Sequence, residues 1–307
     1  MSESAPVQTD PTARARCLVF TMAHGESRYH RHAAYLLRSL QAWASATELD
    51  AASVELGVVT DQPEHWQAHG VQVIHLTREQ INAWVGASGF KHVVKVHVFE
   101  RIFDLGYQRA VFMDADMFAT GPWLAPLQQI SPTAVVMEQA EGRLDERGDI
   151  LAKKLYARFG KQPVVWQGEQ PELLPRDILI YNSGVLGLHA AHRELLLPNA
   201  RFTQRIYAAF KKHNLGQLAW SYTLHRAGVR IHTLHPALYH YWQNPQQGLR
   251  ILDDFFAGIK GQSEAEQSAA IRAFRFGVAK PRQHFLKRLE RGLRSSALDL
   301  NYFLRKR

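Results

Sequence analysis

The chain has 307 residues, 46% of them hydrophobic and 21% charged, with a net charge of +9 and a single cysteine. This supports one large packed core, argues against a largely disordered chain, and excludes an internal disulfide. No apolar run reaches the roughly 18 residues of a membrane span, and residues 1–15 lack the apolar stretch of a secretory signal, so a disordered polar tail and a reducing, cytoplasmic setting are expected.

The first predicted element is the apolar strand CLVFTMA, in which Cys17 is expected to be buried and inert. An amphipathic helix over 29–43 follows, then the strand VELGVVTD, a helical turn opened by Pro63 and the strand VQVIHL. This alternation predicts an α/β fold whose mostly parallel sheet carries helices on its faces and gathers ligands at the carboxyl ends of its strands. Residues 21–25, Thr60-Asp61 and 114–116 lie at such ends. A helix over 90–103 leads into the strand Val111-Phe112-Met113-Asp114-Ala115-Asp116-Met117-Phe118. Residues 120–123 read as a turn and 134–138 as a short strand. The stretch 138–176 reads as an elaborated loop with a helical interlude at 150–159, suited to recognising an acceptor. Extended chain over 177–188 is interrupted by the turn-prone Asn182-Ser183-Gly184. Helices are expected over 201–212 and 217–226, and extended chain over 229–242 carries His232, His235 and His240. There is no internal repeat.

The Asp-x-Asp pair is the strongest chemical signal. In extended chain residues i and i+2 point the same way, so Asp114 and Asp116 project together and Ala115 keeps the space between them open. Two carboxylates beside an apolar run need compensation by water, a donor or a hard divalent cation. A second signal is the segment 280–307, which carries nine Lys or Arg against Glu290 and Asp299, interleaved with Phe285, Leu289, Leu293 and Tyr302. It reads either as an ordinary solvated helix or as a basic amphipathic segment lying on an anionic membrane surface. No broad basic surface suited to nucleic acid is evident elsewhere.

Several of these stretches resemble one family. Residues 109–116 look like the strand and Asp-x-Asp of glycosyltransferase family 8, retaining enzymes that include glycogenin and lipooligosaccharide galactosyltransferases. Val94-Lys95-Val96-His97 is similar to the helix that supplies a donor-binding lysine, with Lys91 as a rival for that role. Phe20-Thr21-Met22, Tyr29 and Ser39-Leu40 resemble the first strand and the nucleotide-facing loop and helix, and Tyr181-Asn182-Ser183-Gly184-Val185 resembles the sugar-contacting segment. The resemblance covers residues 16–242 and implies a GT-A (Rossmann-like) domain, expected over 16–276; the charge pattern sets off a basic helical segment over 277–307.

The resemblance further implies that Asp114, Asp116 and His240 hold Mn²⁺ or Mg²⁺ against the diphosphate of a UDP-sugar, with Lys95 nearby. Thr21, Met22, Tyr29, Asp61, Ala115, Asn182, Ser183 and Gly184 would contact the donor, and Gln217 would act on the transferred hexose with Asn182 and Lys95. The acceptor would be a glycan or lipid-linked glycan, as in lipopolysaccharide or polysaccharide biosynthesis on the cytoplasmic face of a membrane. Two positions depart from the family. Gly216-Gln217 stands where Asp-Gln is usual, and Tyr241-Trp242-Gln243-Asn244-Pro245 follows His240 where a Lys-Pro-Trp is expected. Without the acid, attack from the same face as the departing diphosphate is the expected route to retention. Two other readings use the same residues: a haloacid dehalogenase-type phosphatase recruiting Ser183 and Asp253-Asp254, and a catalytically degenerate nucleotide-sugar-binding protein.

Overall fold

The computed structural model describes residues 16–278 apart from 87–88, 147–149, 160–162, 167, 213 and 235. The expected tail 1–15, the basic segment from 279 onward and His235 lie outside the described residues. In chain order the elements are β1 (Cys17–Ala23), α1 (Ser27–Trp43), α2 (Ala46–Ala51), β2 (Val54–Thr60), β3 (Gln72–His75), α3 (Arg78–Val85), α4 (Val94–Asp104), β4 (Arg109–Met113) and β5 (Met117–Ala119). They continue with β6 (Ala134–Met137), β7 (Ala140–Arg143), α5 (Ile150–Phe159), β8 (Leu179–Tyr181), β9 (Val185–His189), α6 (Leu196–Ala209), α7 (Leu215–Arg226), β10 (Arg230–Thr233), β11 (Leu238–His240), α8 (Pro245–Gly258) and α9 (Glu264–Ala273).

Seven strands form one sheet in the order β10-β6-β9-β4-β1-β2-β3. All its neighbours pair in parallel except where β9 runs against β4 and β6. This is the mixed, mostly parallel, helix-flanked α/β sheet that the alternation predicts. β1 is apolar almost throughout because both faces of the sheet are covered. Cys17 and Val19 pack with Ala33, Leu36, Leu37 and Leu40 of α1, while Leu18 and Phe20 pack with Val96, Val98 and Phe99 of α4.

Strand order fixes where chemistry can occur. The chain runs from β1 outward to β2 and β3, then returns to the other side of β1 as β4, so the crevice between β1 and β4 opens at their carboxyl ends. Because β9 is reversed, its amino end lies on that same edge. The chain after β1, β2, β4 and β6 and the Asn182-Ser183-Gly184 turn before β9 therefore converge.

Several boundaries differ from the sequence expectation. The strand over 111–118 is two strands separated by a turn at Asp114-Ala115-Asp116, and the helix over 90–103 is a tight 3₁₀ turn (Lys91–Val93) followed by α4. The extended stretch 229–242 is two strands in different sheets: β10 joins the main sheet, and β11 pairs antiparallel with β5. Within 138–176, β7 pairs antiparallel with β8, so that stretch is not all loop. The helix expected over 201–212 starts at Leu196 and ends at Ala209. Among the described residues no helix is long and apolar enough to cross a membrane.

Candidate active site

The turn carrying Asp114 and Asp116 is held from three sides. The peptide N–H of Asp114 donates to the carbonyl of Gly184 at 2.7 Å, and that of Tyr241 donates to the carbonyl of Asp116 at 3.0 Å. The next strand is anchored on α1, where Ser39 Oγ accepts from the N–H of Ala119 at 2.9 Å and Trp43 Nε1 donates to its carbonyl at 3.1 Å. The β5–β11 register sets His240 across from Met117, beside Asp116. One ligand atom from each of Asp114, Asp116 and His240 falls within 4.8 Å of the others, the grouping of this kind found among the described residues.

His240 bridges two carboxylates. Its Nε2 lies 3.3 Å from Asp116 Oδ1 and its Nδ1 2.9 Å from Glu138 Oε2, with the His240 and Glu138 side chains 9% and 8% exposed. Burial disfavours the imidazolium, but hydrogen bonds to Asp116 and Glu138 outweigh it and push His240 up to about 10. Burial likewise opposes the Asp116 carboxylate, and His240 outweighs it, holding Asp116 below the usual range. The free protein thus balances two acids with a proton on the imidazole. The donor set of two carboxylates and an imidazole fits a first-row divalent ion such as Mn²⁺ better than Mg²⁺. Glu138 then accepts the Nδ1 hydrogen, the arrangement that orients a metal-ligating histidine.

Gly184 makes this arrangement possible. A Cβ there would lie 2.4 Å from Glu138 Oε2, 2.7 Å from His240 Cε1 and 2.7 Å from Met117 Cε. The turn before it is locked by Asn182, whose Oδ1 accepts from the N–H of Gly184 and whose Nδ2 donates to Glu141 Oε1, each at 2.9 Å. Lys95, only 8% exposed, donates from Nζ to Asp114 Oδ1 at 3.1 Å and to the Ser183 carbonyl at 3.3 Å, and sits 4.0 Å from the centre of the Phe112 ring.

A cavity of about 690 Å³ opens beside the cluster, lined by Lys95, Asp114, Ala115 and Asp116, by Met22 of β1 and His24, Gly25 and Glu26 after it, by Arg28, Tyr29 and His32 of α1, by Lys91 and His92, and by Pro245, Gln246 and Leu249 of α8. A larger cleft of about 1190 Å³ lies at the opposite, amino-terminal edge of β2 and β3, away from the cluster.

The expected site residues fall into three groups. Met22, Tyr29, Lys95, Asp114, Ala115 and Asp116 share the cavity wall, and His240, Ser183, Gly184 and Asn182 stand directly behind it. Thr21 is fully buried inside the sheet and does not line the cavity. Asp61 faces the loop after β1: it accepts from the N–H of Gly25 at 3.1 and 3.2 Å and from Arg78 Nε at 3.1 Å. Burial opposes the Asp61 charge, but these donors prevail and hold its carboxyl below the ordinary range. Gly25 has φ +83, a conformation glycine takes without strain, so Asp61 holds this loop in shape. Gln217 lies in the first turn of α7, off the cavity wall. A Cβ at Gly216 would meet His92 Cβ and Phe90 Cζ at 3.8 Å, ordinary contact distances, so the missing acid is not excluded by crowding. Asp253 accepts from Arg31 at 2.6 Å and Tyr35 at 2.7 Å, which commits it to joining α8 to α1.

Glu138, His32, His24, Arg28 and His92 also belong to the site or its wall, although no motif in the sequence marks them. Arg28, Tyr29 and His32 carried a usable signal: positions i, i+1 and i+4 fall on one face of a helix.

No family description and no curated protein matches the sequence. Among solved structures, the apo crystal structure of mouse xyloside xylosyltransferase 1 is similar at 14% identity and a TM-score of 0.46, with 87% of this chain and 96% of that one covered.

Proposed function

We propose that the protein is a metal-dependent, retaining GT-A glycosyltransferase that moves a hexose from a UDP-sugar to a glycan or lipid-linked glycan. The observation that carries this reading is the Asp114–Asp116–His240 cluster, at the carboxyl edge of the sheet and open to a cavity that also holds Lys95, Lys91 and Arg28. Carboxylates for a cation beside side chains for an anion suit a ligand that is itself a metal-bound polyanion. A bound Mn²⁺ supplies Lewis-acid stabilisation of the leaving diphosphate.

This chain's own groups account for the rest. Lys95 keeps an ammonium beside Asp114, where negative charge grows on the departing phosphate. Glu138 fixes the His240 ring, and Asn182 shapes the turn whose Ser183 carbonyl accepts from Lys95. In the transfer step the acceptor oxygen bonds to the anomeric carbon as the bond to the phosphate oxygen breaks. The diphosphate leaves with the electron pair, and its oxygen takes the acceptor proton. Same-face attack is the reading that fits Gly216 standing where the usual acid would be.

The test is a thermal-shift panel of nucleotide sugars with and without Mn²⁺, since a ligand that binds only the folded protein raises its melting temperature. A shift for one UDP-hexose that requires Mn²⁺ is expected. No shift with any nucleotide sugar would remove the reading, and a shift without turnover would identify a degenerate binding protein. The basic segment 280–307 is proposed to hold the enzyme on an anionic membrane surface; deleting it should abolish co-sedimentation with anionic vesicles while sparing transfer to a soluble acceptor.

A further inference from the structure

We propose that His32 is a substrate-binding residue whose Nε2–H donates a fixed hydrogen bond to a phosphate oxygen of the nucleotide-sugar. The inference rests on the nucleotide-sugar reading above and adds to it a contact from helix α1.

His32 is 5% exposed, yet it lines the cavity that Asp114 and Asp116 line. Its Nδ1 lies 2.7 Å from the hydroxyl of Tyr241, and the two rings sit 5.5 Å apart. Tyr241 is itself immobile. Its backbone N–H holds the Asp116 carbonyl, its ring meets Phe276 edge-on at 5.1 Å, and it fills the space left by Gly248, where a Cβ would fall 2.3 Å from Cδ2. The residue that follows His240 therefore fixes the His32 ring as well.

The hydrogen-bond pattern sets which nitrogen carries a hydrogen. Among the described residues His32 Nδ1 is the partner of the Tyr241 hydroxyl. If Nδ1–H donated to it, the hydroxyl hydrogen would lack an acceptor in a buried place, which is costly. With the hydroxyl donating to Nδ1, Nε2 carries the hydrogen. Nε2 is not among the buried atoms sealed off without a partner, and no protein acceptor for it occurs among the described residues, so it opens to the cavity. A ring in this state has no lone pair to offer a metal, in keeping with its place outside the three-ligand cluster. What it offers is a donor, on a wall where Arg28 is paired with Glu26 at 3.0 Å and Lys91 and Lys95 stand with the carboxylates of Asp114 and Asp116; with those carboxylates taken by a cation, the group that complements the donor is an anionic oxygen.

The test measures binding of Mn²⁺ alone, Mn²⁺–UDP and Mn²⁺–pyrophosphate by calorimetry to the wild type, His32→Asn and His32→Gln. Asn retains a polar atom near Nδ1 and loses the donor at Nε2, whereas the longer Gln can restore it. His32→Asn should weaken both diphosphate complexes by about tenfold or more, the effect of one hydrogen bond to a charged group. Binding of Mn²⁺ alone should be unchanged, and His32→Gln should recover part of the loss. Equal binding of the complexes by His32→Asn, loss of Mn²⁺ alone to the same extent, or a loss with UDP but not pyrophosphate would each overturn the proposal. If His32→Asn does not fold, ¹⁵N spectra of wild-type histidines with Mg²⁺–pyrophosphate decide it: the His32 Nε2 resonance should move, and a stationary one overturns the assignment. A wild type that binds none of the probes removes the nucleotide-sugar reading itself.

Discussion

Glu138 and His240 are 102 residues apart in sequence and 2.9 Å apart in space, joined carboxylate to imidazole. The bond orients the ring so that Nε2 addresses Asp116, the orientation that the proposed metal site needs. Replacing Glu138 by Gln keeps the shape and removes the charge. Mn²⁺ affinity measured by calorimetry should fall about 10- to 100-fold, the usual effect of losing such a partner. Unchanged affinity would mean that Glu138 only fills space.

Gly184 offers a steric test of the same cluster. Gly184→Ala places a methyl group 2.4 Å from Glu138 Oε2 and 2.7 Å from His240 Cε1, so both side chains must shift. Overpacking of this kind costs about 1–3 kcal/mol. Urea denaturation should show that loss together with weaker Mn²⁺ binding, and a variant as stable as the wild type would show that the turn yields easily.

The Asp-x-Asp pair was legible as two acids closing an apolar run, but the extended-chain geometry expected for it is replaced by a turn between β4 and β5 that still brings both carboxylates together. His240 could be reached only through resemblance, since the β5–β11 pairing that brings it to Asp116 is nonlocal. Glu138 read as the end of a strand because nothing in the sequence marks a carboxylate that will meet a distant imidazole. β7, with the sequence AEGR, carries no apolar alternation and lay inside an apparent loop, although its partner β8 falls in the extended chain expected over 177–188. Helix α8 carries its own sequence signal: Pro245 starts it, and Leu249, Leu252 and Phe256 form a buried stripe at helical spacing. The parallel sheet was easiest to foresee, because strands covered on both faces are written as unbroken apolar runs.

Lys95 separates metal binding from donor binding. Its ammonium is bonded to Asp114, the carboxylate that a divalent ion needs. Lys95→Met should therefore leave Mn²⁺ affinity undiminished or raise it, while weakening UDP-sugar binding about tenfold or more through loss of a charge-assisted contact. Parallel calorimetry of the ion and of its UDP complex checks this, and a loss of Mn²⁺ binding alone would contradict it.

Cys17 supplies a pH-dependent readout of the core. Burial pushes its thiol from an ordinary 9.0 up to about 12. The unfolded chain therefore ionises first, so this group's share of stability is fully present below about 9 and is lost as pH rises toward about 12. At pH 8 iodoacetamide should label the urea-unfolded chain readily and the native protein hardly at all. Fast native labelling would contradict the buried position.

Asp114, Asp116 and His240 are proposed to hold the divalent ion on which transfer from a nucleotide sugar depends. The most direct measurement is Mn²⁺-dependent turnover of UDP-hexoses by the wild type and by the double variant Asp114→Asn, Asp116→Asn, with circular dichroism verifying that both are folded. The wild type should turn over at least one UDP-hexose, chelation should abolish that turnover, and the folded variant should show none. Undiminished metal-dependent turnover in that variant would contradict it.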